Sequence, residues 1–375
     1  ISADLVTENS RLAIIFDSIS EGLLVTDGHG RVLSANRALR DLFGVDWAVE
    51  GRPAVEVVRN VAVADAIDRA LRGEAPECEI TLAGERCLSV HAGPIPATDG
   101  SAPVGTVTMF YEITRLRRLE RMRVDFVANV SHELRTPLTA IKGCAETLAD
   151  GALQDPQAAA RFVDVIATHA DRLTCILEDL LTLSRLESGQ TRLEMTGTEV
   201  QKIVQTACEA VTRIAADGKI SVTTEIPDGL LVRCERRLVE QALINLLDNA
   251  IKYSSEGGNV TIRARRATQS AVAVELKGRR WSSRAGEAAA TELSMAYADA
   301  VVIEVQDRGS GIPPAEVERI FERFYRVDRG RSRDLGGTGL GLSIVRHAIG
   351  LHGERVFVDS DIGTGSTFGF TLSVA

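Results

Sequence analysis

The segment Ser131-His132-Glu133-Leu134-Arg135-Thr136-Pro137-Leu138 places a histidine beside a carboxylate and one helical turn before a hydroxyl. A neutral imidazole attacks through one ring nitrogen when a carboxylate takes the proton of the other, and Glu133 stands next to His132 for that role. Thr136 shares the face of His132, where its hydroxyl suits holding a water for the reverse reaction. Pro137 lacks a backbone donor and clashes with the carbonyl of Glu133, so a bend beside His132 is predicted. Standing alone, a histidine on a helix is usually a surface residue without a task. The acid, hydroxyl and proline around it carry the reading.

Three further segments supply the donors a nucleotide needs, although the chain has no G-x-x-x-x-G-K-[ST] loop. In Asn245-Leu246-Leu247-Asp248-Asn249-Ala250-Ile251-Lys252-Tyr253, Asn245 and Asn249 fall on one helix face with oxygens suited to a hard cation. Lys252 is available to phosphate, and the leucines should pack inward. Asp307-Arg308-Gly309-Ser310-Gly311-Ile312-Pro313 follows a strand-like run. Asp307 there is a carboxylate able to accept the hydrogen of an adenine amino group, and Gly309 and Gly311 let a flat ring approach. Gly336-Gly337-Thr338-Gly339-Leu340-Gly341-Leu342-Ser343 leads a glycine-rich loop into a helix, whose first amides and dipole favour phosphate. Each has a plainer reading when taken singly: paired asparagines are often solvated, D-x-G-x-G suits a turn, and a glycine run suits a flexible loop.

These segments need more than one core to hold them, since 375 residues exceed an ordinary single domain. Residues 1–114 read as a small α+β domain, with strand-like runs at 23–26, 31–34 and 105–111 and a turn at Asp27-Gly28-His29-Gly30. His29 and His91 are expected in surface or packing roles. Residues 115–190 read as a helical linker and hairpin. Leu116, Leu119, Phe126 and Val130 follow a coiled-coil seam interrupted by Arg123, and His132 is turned about 200° from that seam, toward solvent. A second helix is predicted over 156–187, with Phe162, Ile166, Leu173, Leu177, Leu180 and Leu181 on its inner face and the break at Asp150-Gly151 and Asp155-Pro156. Two such hairpins would make a four-helix bundle. Residues 191–375 alternate helices with strand-like runs at 259–265, 300–306 and 366–373, which reads as an α/β sandwich carrying an exposed insertion at 277–298.

The net charge of −9 argues against a nucleic-acid surface. The six cysteines lack metal-ligand spacing, which favours free thiols in a reducing compartment. No apolar run approaches the roughly 20 residues that cross a bilayer. The chain starts at Ile1, so the expectation is a fragment, the cytoplasmic portion of a protein whose upstream part would anchor it in a membrane.

The segment around His132 resembles the H-box of bacterial sensor histidine kinases. The asparagine, aspartate and glycine segments, in that order, resemble the N, G1 and G2 boxes of the family's Bergerat-type ATP domain, with Phe321-Glu322-Arg323-Phe324-Tyr325-Arg326 similar to its F box. Residues 21–43 and the closing Tyr111-Glu112-Ile113-Thr114 resemble a PAS sensor domain. The resemblance implies that ATP phosphorylates His132, with Glu133 as base and Thr136 serving phosphatase activity. It implies Mg²⁺ on Asn249, Asn245 and Lys252 by the phosphates, Tyr253 beside the base, Asp307 on adenine, and Arg326 at the γ-phosphate. Gly337, Thr338, Gly339, Leu340 and Gly341 would cradle the phosphates, and residues 327–335 would be a mobile lid. A homodimer, a response-regulator receiver domain as partner, and a bacterial inner-membrane anchor for the full-length protein follow from the same resemblance. Residues 118–143, with Asp179-Leu180-Leu181-Thr182-Leu183-Ser184-Arg185-Leu186-Glu187-Ser188, look like the phosphate-regulon type. Departures are the 277–298 insertion and Glu354-Arg355. An ATPase of the gyrase and Hsp90 kind would share the nucleotide segments without the histidine segment, and a non-catalytic scaffold would need a broken motif.

Overall fold

The computed structural model describes residues 11, 14–98, 102–188, 193–268, 280–281, 299–327 and 337–375. By contact, the chain divides once, between Asp125 and Phe126.

In the first unit, strands β1 (Gly22–Asp27), β2 (Val32–Ala35), β3 (Glu77–Thr81), β4 (Cys87–Ile95) and β5 (Gly105–Glu112) form an antiparallel sheet in the order β2-β1-β5-β4-β3. Strand β1 alternates buried and half-buried residues, as a strand with one covered face must. Helices α1 (Arg37–Phe43), α2 (Ala54–Val58) and α3 (Val61–Leu71) contribute to the core around Leu24, Leu39, Leu88 and Phe110. Phe43 meets the Phe110 ring edge-on at 5.3 Å between centroids.

Asn36 ties this unit together. Its Oδ1 caps α1 by accepting from Leu39 N at 2.9 Å and also accepts from Leu23 N at 2.8 Å, while its Nδ2 donates to Glu21 O at 2.8 Å. At the predicted turn, Asp27 Oδ1 accepts from the amides of His29 and Arg31. Those two hydrogen bonds close β1 onto β2. His91 pairs across the β3-β4 ladder with Glu77 at 2.9 Å.

The second unit begins inside a long helix, α4 (Thr114–Ala149), which turns through Gly151 and a short 3-10 segment into α5 (Pro156–Glu187). Asp155 caps α5 by accepting from Gln157 N and Ala158 N, and Pro156 occupies the first turn, where no donor is needed. Of the predicted inner face of α5, Phe162, Ile166, Leu173 and Leu180 are half-buried in the single chain. Ile176, Leu183 and Leu186 are buried, whereas Leu177 and Leu181 are 56% and 50% exposed. The reason is packing: Leu183 and Leu186 join the core of the following α/β layer, so the helix buries the face turned to that layer.

That layer contains β6 (Thr196–Glu199), α6 (Val200–Asp217), β7 (Ser221–Glu225), β8 (Leu231–Cys234), α7 (Arg236–Tyr253), β9 (Asn259–Thr268), β10 (Arg280–Trp281), β11 (Asp299–Gln306), α8 (Gly341–Leu351), β12 (Val356–Asp361) and β13 (Gly365–Ser373). The main sheet has the order β10-β12-β13-β11-β9-β7, with β6 and β8 paired separately. Arg280 and Trp281 lie in the expected insertion, yet pair with Val358 and Phe357 of β12. Two residues of that insertion therefore belong to the sheet, and the rest lies outside the described residues. Leu246 and Leu247 of α7 point inward as predicted and, with Leu243, join Ile344 and Val345 of α8 in one core. All six cysteines are free. Among the described residues, no helix is long and apolar enough to cross a membrane.

Candidate functional site

His132 stands exposed on α4, and among the described residues its ring makes no hydrogen bond. The helix assignment runs unbroken through Pro137, which is buried. The Thr136 hydroxyl donates back to His132 O at 3.3 Å, a local bond that keeps it on the histidine's turn. The expected pairing of Glu133 with the His132 ring is absent. Adjacent residues on a helix diverge by about 100°, so Glu133 turns inward while His132 turns out. Glu133 Oε2 accepts instead from Arg172 of α5 and from Arg326, each at 3.2 Å.

At the nucleotide segments, α7 places Asn245 and Asn249 one turn apart, both half-buried. Asn245 accepts from Gln241 Nε2 at 3.2 Å and donates to Gly341 O at 3.2 Å, which ties α7 to the first turn of α8. The Asn249 amide makes no hydrogen bond among the described residues. Lys252 donates to Asp248 Oδ2 at 2.6 Å, holding its ammonium along the helix.

Asp307 follows β11 and is 5% exposed. One carboxylate oxygen accepts from Gly309 N at 2.8 Å and from Ser366 N of β13 at 3.1 Å. The other oxygen has no hydrogen bond among the described residues. Burial pushes this carboxyl above its ordinary value against the lowering effect of those two amides. Gly309 passes so close to Tyr253 that an added Cβ would lie 2.3 Å from Tyr253 O, so the aspartate loop and the end of α7 meet backbone to backbone. Gly311, at φ +68°, would set a Cβ 2.1 Å from Asp361 O; no side chain fits there.

The glycine loop is tied to the hairpin. Thr338 Oγ1 donates to Asp179 Oδ2 of α5 at 2.7 Å and accepts from Leu340 N at 3.2 Å. Arg326, with a side chain only 6% exposed, donates to Gly337 O as well as to Glu133. Arg323 pairs with Glu187, which also faces His347 Nε2 at 3.2 Å. Phe126, expected in the coiled-coil seam, packs on Phe324 at 5.9 Å and lies 5.1 Å from the Arg323 guanidinium. The structure thus gathers Glu133, Arg326, Gly337, Thr338 and Gly339 at one edge. Asn245 joins Gly341, and Tyr253 joins Gly309 and Asp307. Residue Val327 begins the expected lid; 328–336 lie outside the described residues.

Three family models match in chain order: a PAS fold over residues 16–118, the His Kinase A (phospho-acceptor) domain over 122–189, and the histidine kinase-, DNA gyrase B- and HSP90-like ATPase over 234–375. The sensor-like histidine kinase SenX3 of Mycobacterium tuberculosis is 33% identical over 98% of this chain and 81% of its own length. The chain belongs to the sensor histidine kinases. The alginate biosynthesis sensor protein KinB of Pseudomonas aeruginosa is 32% identical over 99% of the chain, and the sensor histidine kinase WalK of Bacillus subtilis is 31% identical over 99%. The chain spans 58% and 56% of the length of those two.

Within this sensor histidine kinase chain, sequence reasoning missed Arg172, Asp179, Glu187 and Ser366. Asp179 carried a signal. It lies three residues after Ile176 and four before Leu183, which puts a carboxylate on a buried helix face. Ser366 contributes only its backbone amide to Asp307, and its side-chain type carries no trace of that.

Proposed function

We propose that this chain transfers the γ-phosphoryl group of ATP to His132, passes it to an aspartate of a response-regulator receiver domain, and removes it from that partner with the help of Thr136. In this reading residues 1–114 sense, 115–190 dimerise and carry the phosphoryl group, and 191–375 bind nucleotide, with two hairpins forming a four-helix bundle. One observation carries the proposal: an exposed imidazole on α4 shares a folded unit with the Asn249 amide and one Asp307 oxygen, and among the described residues none of the three has a hydrogen-bond partner.

The residues present fit Mg²⁺ with a nucleotide. Among the described residues no cluster of three or more His, Cys, Asp or Glu could hold a metal alone. A hard cation that keeps phosphate and water oxygens needs just one or two protein oxygens, which Asn249 offers. Mg²⁺ would neutralise phosphate charge when bound. Asp307, fixed by two amides, directs its open oxygen to an adenine amino group. Tyr253 flanks the base, Asn245 and Lys252 lie by the phosphates, and Gly337 to Gly341 deliver backbone amides to them at the start of α8. The His132 nitrogen forms a bond to the γ-phosphorus as the bond to the bridging oxygen breaks and ADP leaves. Arg326 leaves Glu133 to meet the γ-phosphate, which frees Glu133 to take the imidazole proton.

The test is incubation with γ-labelled ATP and Mg²⁺ beside His132→Ala and Asn249→Ala. Acid-labile, alkali-stable label on the wild type and on neither variant is the expected result. Label on His132→Ala, or ATP hydrolysis without protein label, overturns the reading.

A further inference from the structure

The hydroxyl of Thr338 has one proton, and the structure shows where it goes: to Asp179 Oδ2 at 2.7 Å. Its acceptor side takes Leu340 N. A hydroxyl committed on both sides offers nothing to a phosphate. Arg326 is engaged in the same way by Glu133 and Gly337 O. The two carboxylates on the hairpin therefore occupy two groups of the nucleotide-binding part, and both are anions, as a phosphate is. The contact is no loose surface encounter, because Leu183 and Leu186 of α5 enter the core beside α8 and Phe126 packs on Phe324.

Resting on the nucleotide reading above, we propose that Asp179 is a positioning residue that stands in for phosphate on Thr338, so that the Asp179–Thr338 contact and phosphate compete for the glycine loop and the contact must open for nucleotide to bind fully. Asp179 touches no reacting atom. It acts through Thr338, and Glu133 acts in parallel through Arg326. The environment of Asp179 is consistent with such a loan. Burial pushes its carboxyl up, the Thr338 hydroxyl and Lys252 hold it down, and Asp248 adds repulsion, so the carboxylate depends on the loop it restrains. A protein whose binding-competent form is a minor fraction shows an apparent affinity reduced by that fraction, and removing the restraint restores it.

The experiment is equilibrium binding of a fluorescent ATP analogue with Mg²⁺ to the full chain, for wild type, Asp179→Ala, Asp179→Asn, Thr338→Ala and the double variant Asp179→Ala/Thr338→Ala. Losing one charge-assisted hydrogen bond should tighten binding in Asp179→Ala by about fivefold or more. Asp179→Asn, nearly isosteric and still an acceptor, should shift less in the same direction. In the Thr338→Ala background the Asp179 substitution should change nothing. Unchanged or weaker binding in both Asp179 variants, with the wild type binding, overturns the inference alone. Equal tightening with and without Thr338 also overturns it, since the effect is then bulk charge. A wild type that binds no nucleotide sinks the functional reading and this inference with it.

Discussion

Two asparagines divide the molecule. Asn36, in the first unit, is fully buried and has both ends of its amide engaged by backbone, from Leu23, Leu39 and Glu21. Asn249, in the second, is half-buried and has neither end engaged among the described residues. The same side chain is architecture in one place and, among the described residues, unengaged in the other. Its hydrogen-bond account decides which, since a buried polar group left open is costly unless something else completes it.

The sharpest way to test that contrast is Asn249→Ala. Labelling from ATP should fall about 10²- to 10³-fold, the scale of losing one preorganised charge-stabilising group, while thermal melting stays within about 1 °C. Asn36→Ala should do the reverse. Leaving two amides and a carbonyl unpartnered should lower stability of the first unit by about 2–3 kcal/mol in urea denaturation, with nucleotide affinity unchanged. A smaller effect distinguishes Asp307, which has one oxygen held by two amides and the other unengaged among the described residues. Its raised folded value means that the charged form is disfavoured by folding, so this carboxyl detracts from stability as pH rises above its unfolded value of 3.8. Asp307→Asn keeps an acceptor for both amides without the charge. Its melting temperature should exceed wild type by about 1–3 °C near neutral pH, a gap that closes below pH 4, while preference for adenine over guanine nucleotides is lost.

Much of this was legible in the chain because local chemistry and tertiary context agree. Asp155-Pro156 announces the start of α5, and the structure begins the helix at Pro156 and ends it at Glu187. Asp27-Gly28-His29-Gly30 announces a turn, and the Asp27 carboxylate closes it. What escaped was choice among faces. Helix α5 has apolar residues on more than one side, and periodicity cannot say which side a neighbouring layer will cover; within the single chain Ile176 and Leu183 are buried while Leu177 and Leu181 stay exposed. The Glu133 partner escaped for a related reason. Adjacency in sequence suggested His132, whereas the partners that the helix presents to Glu133, Arg172 and Arg326, lie 39 and 193 residues away.

The sheet order carries a consequence for how the chain is made. Strand β13 follows both β11 and β12 in the chain, yet it lies between them, pairing with both along most of their length. During vectorial synthesis β11 waits with one edge unpaired until β13 emerges, an interval in which it is open to pairing with another chain. The same strand brings the Ser366 amide that holds Asp307. Asp307 thus cannot be held by both of its amides until β13 slots between β11 and β12, so fixing this carboxylate and closing the middle of the sheet become a single event.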